Sequence, residues 1–213
     1  MRPFRRNTPL RAYPADMRPW RAGPGEPALE ALRASRLRRL QRLSGWLSRS
    51  GIDLAAALDA AEPTALAETL RALDAWSLGH WPPIACREWA WPEKFHAGDW
   101  PDGEQASVYT LLVDTGVVLG ELLRRHRPGL DWAVDTYDAH GADGVAAYGR
   151  VLILDPAVPL GSLTPPVYDA IDEAFMRYQS LAFNDVPGRF LDGMRPLLWD
   201  THRHLFVDPP NSH

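Results

Sequence analysis

The stretch DTYDAHGAD, residues 135–143, brings Asp135, Asp138, His140 and Asp143 into one short segment. Carboxylates beside a histidine are the donor set of a divalent-metal site, and they are also an acid–base pair. Asp135, His140 and Asp143 would then be the ligands of a metal-dependent hydrolase. Hairpin turns select the same residue types, however, because Asp and its neighbours bond their own backbone, and calcium-loop spacing is absent. The turn is the favoured reading, so no metal and no cofactor are expected. His202 and His204 in THRHLF would lie about 200° apart on a helix, so they could share a metal only on extended chain. Cys86 is the single cysteine. It rules out an intramolecular disulfide and a Cys-rich zinc site, and with no local basic cluster it reads as a buried, inert thiol.

The last candidate is Glu121 in GVVLGELLRRHRPGLDW, residues 116–132. It is an acid directly after a glycine on an apolar helical face. Burial without a partner would be costly. Glu121 is therefore expected to accept hydrogen bonds from a neighbouring strand or loop, or to pair with Arg124 or Arg125 three or four residues on. Bracing the scaffold ranks ahead of ligand contact, and catalysis ranks last. Motifs for a nucleophile elbow, a P-loop, a helical zinc site or a dinucleotide fingerprint are missing.

The elements that must position these residues follow from periodicity. Residues 1–26 are rich in Pro and Arg and read as an extended arm with Tyr13 and Trp20 tucked inward. Pro27 suits the first turn of a helix, and Gly51 suits its left-handed stop. Between them Leu29, Leu32, Leu40, Leu43 and Leu47 form the apolar stripe, widened by Leu37 and Trp46. Arg33, Arg36, Arg38, Arg39 and Arg42 fill the remaining positions. Two further helices are expected over residues 52–61 and 62–79.

Residues 80–104 hold four of the nine tryptophans and four prolines. This loop reads as aromatic mortar between layers, with an aromatic binding surface as the alternative. Residues 105–127 predict a broadly apolar central helix in which Gly116 and Gly120 permit close approach of another backbone. Pro128-Gly129 stops it. The alternation in LDWAVDTY and the run VAAYGRVLIL predict an antiparallel meander. Residues 166–182 and the stretch from Gly188 predict closing helices, the last one disturbed near Pro196.

The fold class is thus α+β: an N-terminal helical layer, a long central helix, a small antiparallel β-meander and C-terminal helices. The expected division is an arm with a helical subdomain over 1–79, a connecting loop over 80–104 and a core over 105–213, all within one compact unit. Charge is uneven. Residues 1–50 hold 12 Arg against 3 acids, while residues 51–213 hold 11 basic residues against 24 acids. A basic head can neutralise an acidic body internally, or the acidic body can meet a basic partner. No aromatic-glycine motif or recognition helix accompanies the arginines, so nucleic acid is not expected as a partner. The N-terminus lacks the apolar core of a signal peptide and no long uninterrupted apolar run occurs. A cytoplasmic protein that does not meet membrane is the expectation.

The segment VDTGVVLGELLRRHRPGLDWAVDTYDAHG followed by GRVLILDP, within residues 113–156, resembles uncharacterised bacterial α+β domains. In those domains an apolar helix carrying Leu-Gly-Glu or Leu-Gly-Asp precedes a tryptophan-bearing strand and a hairpin. They include immunity proteins of polymorphic and type VI secreted toxins. Gly120, Glu121 and Trp132 are the matching positions and read as architectural. The resemblance implies a protein-binding protein that occludes the active site of a cognate toxin, or binds another basic protein, and is not an enzyme. Asp131, Asp135, Asp138 and Asp143 would face the basic cleft, with Trp89, Trp91 and Trp100 as anchors.

Overall fold

The computed structural model describes residues 13–17, 25–60, 62–81, 103–136, 149–155, 167–181 and 188–198. Helix α1 spans Glu26–Leu47. It follows Gly25 at φ 71°, carries Pro27 in its first turn, and ends through a 3-10 turn at Gly51, φ 79°, a left-handed conformation that glycine adopts without a Cβ clash. Helix α2, Leu54–Asp59, is capped by the Asp53 carboxylate, which accepts the Ala56 N–H at 3.0 Å. Helix α3, Pro63–His80, starts on a proline whose missing N–H costs nothing there. Helix α4, Glu104–His126, is the longest element and contacts α1 and α2.

Pro128-Gly129 turns the chain into strand β1, Asp131–Val134. Strand β2, Val151–Leu154, lies antiparallel to β1 with Trp132 opposite Ile153, and pairs on its other edge with the short strand β3, Val167–Tyr168. The sheet order is β1-β2-β3, and all four residues of the central β2 are buried. Helices α5, Ala170–Ser180, and α6, Arg189–Leu198, complete an α+β fold with six α-helices among the described residues.

Two elements differ from the sequence reading. Tyr168 was expected on a helix running from residue 166, but it lies on β3. Asp169 then starts α5 by accepting the Asp172 N–H at 2.8 Å, so the cap sets the helix start rather than the aromatic spacing. On α1, Leu37 is 67% exposed while Arg39 is fully buried. The apolar stripe is therefore interrupted by a charge, for a reason that lies on α4.

Helix α4 is long and apolar enough to cross a membrane, but 94% of that stretch is buried inside the protein, as in a core helix. Gly116 and Gly120 set its approach to its neighbours. A Cβ on Gly116 would sit 2.6 Å from the Ile171 Cα, so the first turn of α5 rests directly on the α4 backbone. At Gly120 the neighbour is the Trp132 ring instead of a second backbone, and a Cβ there would overlap the ring carbons.

The charge within this helix is Asp114, fully buried. Arg39 of α1 donates to its Oδ1 at 2.7 Å, and Arg42 donates to both oxygens at 2.5 and 2.8 Å. Tyr13 donates its hydroxyl at 2.6 Å. The N-terminal segment closes the site from outside. The Asp16 carboxylate takes Arg42 at 2.9 Å and Arg38 at 3.0 Å, its carbonyl takes Arg39, and its N–H bonds the Thr110 hydroxyl at 2.8 Å. Two carboxylates and two buried guanidiniums balance, as buried charge requires. Burial and the Asp114 charge push the Tyr13 hydroxyl well above its ordinary range, so it stays a neutral donor. Burial would raise the Asp16 carboxyl, but the Arg42 hydrogen bond and the charges of Arg38, Arg42 and Arg39 outweigh it and hold it below its ordinary value.

Three outcomes follow. Asp114→Ala leaves two buried guanidiniums without their acceptor and should cost about 3–5 kcal/mol in chemical denaturation, whereas Tyr13→Phe removes one donor to a charged group and should cost about 1.5–3 kcal/mol. Gly120→Ala should destabilise by about 1–3 kcal/mol despite alanine's better helix propensity, because the Trp132 ring has nowhere to move. A Gly120→Ala protein as stable as the parent would remove the packing account.

Candidate functional site

Glu121 follows the glycine that admits the indole, so its carboxylate reaches the rim of the same ring. Its Oε1 accepts the Trp132 indole N–H at 2.7 Å, and both oxygens accept Arg124 at 3.0 Å. Arg36 of α1 stands at 3.5 Å. Arg124 also bridges to Asp131 at 2.7 Å, and Asp131 accepts the Trp132 backbone N–H at 2.8 Å. The indole is thus held by its ring against Gly120, by its N–H on Glu121 and by its backbone through Asp131.

An open hollow of about 310 Å³ lies beside this brace, lined by Leu58, Asp59, Glu121, Arg124, Arg125, Pro128 and Leu130. Within the hollow Glu121 and Arg124 are engaged with each other. Among the described residues Asp59 and Arg125 form no ion pair, and Leu58, Pro128 and Leu130 supply apolar lining. Asp59 belongs to a larger group. Residues 52–70 contain Asp53, Asp59, Glu62 and Glu68 and no lysine or arginine. All four are exposed, and among the described residues none makes an ion pair, although Asp53 caps α2. By contrast Asp16, Asp74, Asp114, Glu121, Asp131, Asp169, Asp172, Glu173 and Asp192 each sit on an arginine.

Gly120, Glu121 and Trp132 are brought into one contact. Asp131 is half exposed at the rim but tied to Arg124. Asp135 is 2% exposed, so it does not belong to an acidic surface. Its N–H bonds the Arg150 carbonyl and its carbonyl accepts the Gly149 N–H, which draws the residue inward at the end of the β1–β2 pair. A partner-facing Asp135 is therefore corrected, and a buried Asp135 is also poorly placed as an open metal ligand. Asp138, His140, Asp143, Trp89, Trp91, Trp100, Cys86, His202 and His204 lie outside the described residues. Among the described residues no group of three His, Cys, Asp or Glu side chains is arranged to hold a metal ion.

Other titratable clusters serve structure. Arg150 stands between Asp169 at 3.3 Å and Asp172 at 3.4 Å. Burial and the charge of Asp172 push the Asp169 carboxyl up to about 7, against the Asp172 N–H and Arg150. A carboxyl titrating near neutrality suits proton transfer, but here it caps α5. Sequence reasoning missed Asp114 with Arg39 and Arg42, and the buried Asp74–Arg177 pair at 2.6 Å. A usable signal existed for Asp114: it is the lone acid in ASVYTLLVDTGVVLG, and Glu121 follows seven residues on, two helical turns along the same face.

Compared with known proteins, the chain matches no family model, no curated protein and no solved structure.

The brace is measurable as a coupling. Glu121→Ala and Trp132→Phe, alone and combined in thermal and denaturant unfolding, should be non-additive by roughly 0.5–3 kcal/mol. Glu121→Gln, which keeps an acceptor for the indole, should lose less than Glu121→Ala. Strict additivity would mean that the carboxylate does not hold the ring.

Proposed function

We propose that this is a bacterial cytoplasmic binding protein of the immunity type, which neutralises a cognate secreted toxin by covering its active site. The observation that carries the reading is the acidic corner of α2 and α3. Asp53, Asp59, Glu62 and Glu68 are exposed and make no ion pair among the described residues, and Asp59 lines an open hollow whose walls are mostly polar, while nine other described acids each sit on an arginine. Unbalanced surface charge of one sign steers a partner of the other sign and raises its association rate. Desolvating the half-buried Leu58 and the exposed Pro128 would then help to hold the complex. A basic active-site cleft, such as one that handles nucleic acid or another polyanion, has the complementary character. Arg36, Arg39 and Arg42 of α1 are engaged by Glu121, Asp114 and Asp16, so these cations do not offset the acids of that corner.

Two measurements test it together. Co-expression with the product of the adjacent gene should relieve that product's toxicity, and the purified pair should form a complex. Asp59→Lys combined with Glu62→Lys should slow association by roughly 10-fold or more at low ionic strength, with the difference shrinking in salt. A neighbour that is neither toxic nor bound sinks the proposal, and unchanged association in the double variant moves the interface elsewhere.

A further inference from the structure

Helix α6 is attached to the rest of the fold by polar contacts that do not fully satisfy one another. At its start the Asp74 carboxylate of α3 accepts the Gly188 N–H and the Arg189 N–H, serving as a cap supplied from a distant helix. The other Asp74 oxygen meets Arg177 of α5 at 2.6 Å, fully buried. One turn into the helix, Gly193 sits against the Glu173 carboxylate of α5. A Cβ there would lie 3.0 Å from both Cδ and Oε2, so the glycine keeps the seat open inside a helix it otherwise weakens.

Glu173 faces Arg189 of α6, Asp172 and Arg177 of its own helix, Asp74 of α3 and Tyr168 of β3. Its side chain is 17% exposed, and its nearest cation is Arg189, with Nε 3.3 Å from Oε1. The charges are close but misaligned: neither Glu173 Oε1 nor Arg189 Nε makes a hydrogen bond, and the buried Tyr168 hydroxyl beside them makes none either. An ionised carboxylate held this way loses water without recovering its hydrogen bonds. Undocking α6 returns it to water.

We propose that α6 is a releasable segment whose docking is governed by the charge of Glu173, seated while the carboxyl is neutral and freed as it ionises. The direction follows from linkage. Burial raises the Glu173 carboxyl above its ordinary value; Arg189 opposes this, while Asp172 and Asp74 add to it. The docked form therefore binds the proton more tightly than the open form, and rising pH favours opening. Opening withdraws Phe190, Leu191 and Met194 from the core and uncovers Trp81, whose ring contacts Phe190 and Tyr178 at 6.2 and 6.0 Å.

Amide hydrogen exchange between about pH 5 and pH 8, corrected for intrinsic rates, reads this directly. In the wild-type protein the protection of α6 should fall with rising pH, by at most about tenfold per unit, while α1, whose partner Asp16 is held below its ordinary range, changes little. Glu173→Gln should keep α6 protected with no pH dependence. Gly193→Ala moves only the flexible end of the Glu173 side chain and keeps its ionisable group, so its α6 protection should still fall with rising pH, with the overall unfolding transition reporting that the fold persists. Wild-type protection that is flat in pH, a Glu173→Gln protein that keeps the pH dependence, or a Gly193→Ala protein that loses it would each overturn the proposal.

Discussion

A carboxylate in the middle of an apolar helix must be neutralised, and Asp114 forces the arrangement around it. Two guanidiniums from α1 and one phenol from the N-terminal segment meet on its two oxygens. That requirement sets the register of α1 on α4. Arg36 reaches Glu121 while Arg39 and Arg42 reach Asp114, so contacts advance along α1 as they retreat along α4, and the two helices run antiparallel. An apolar contact of similar area would tolerate sliding by a turn; a buried ion cluster would not, since a shift would leave charges unmatched. The extended segment 13–17 belongs to the core for the same reason. Tyr13 and Asp16 complete the coordination of Asp114 and Arg42, while Met17 is buried beside them.

The second constraint lies two turns along the same face of α4. Gly120 removes the side chain that would hold the sheet away, and Trp132 fills the space. Glu121 then accepts the indole N–H that would otherwise be buried unpaired. Helix, turn and strand are thereby fixed by three residues within a short span of sequence. A glycine–acid pair near the end of an apolar helix, a Pro-Gly stop and a tryptophan in the next strand form one packing unit. The brace also explains why Glu121 lines an open hollow without being available to a ligand: its oxygens are engaged by Trp132 and Arg124.

Much of this was readable from periodicity. Gly51 as the left-handed stop of α1, the long apolar helix through residues 105–126, the Pro-Gly turn and the strand bearing Trp132 rest on local rules that tertiary context did not override. The pairing of Glu121 with Arg124 is likewise a local, three-residue contact. What periodicity could not supply was partner identity across long separations. Arg39 looks like any arginine on a polar face until Asp114, 75 residues on, calls it inward. Tyr168 fits the apolar rhythm of the following helix, but strand pairing with Ile153 and the cap at Asp169 decide its fate. Asp135 reads as a surface acid because alternation after a strand end carries no information on which way the chain next turns.

The internal use of charge also locates where function would sit. The fold buries Asp114 and Asp74 on arginines and ties Asp16, Glu121 and Asp131 to others, while among the described residues Glu26, Glu30 and the acids of residues 52–70 are exposed and make no ion pair. Arginines are not scarce, since α1 alone carries a row at positions 33, 36, 39 and 42. Yet none is placed in the stretch from residue 52 to residue 70, where Asp53, Asp59, Glu62 and Glu68 all face solvent. Repulsion among like charges offers the folded state nothing at that corner. Pairing elsewhere reflects the cost of burying charge and so follows from the fold. The cap at Asp53 follows from the fold as well, but the exposed Asp59, Glu62 and Glu68 make no ion pair among the described residues and so are not accounted for in that way.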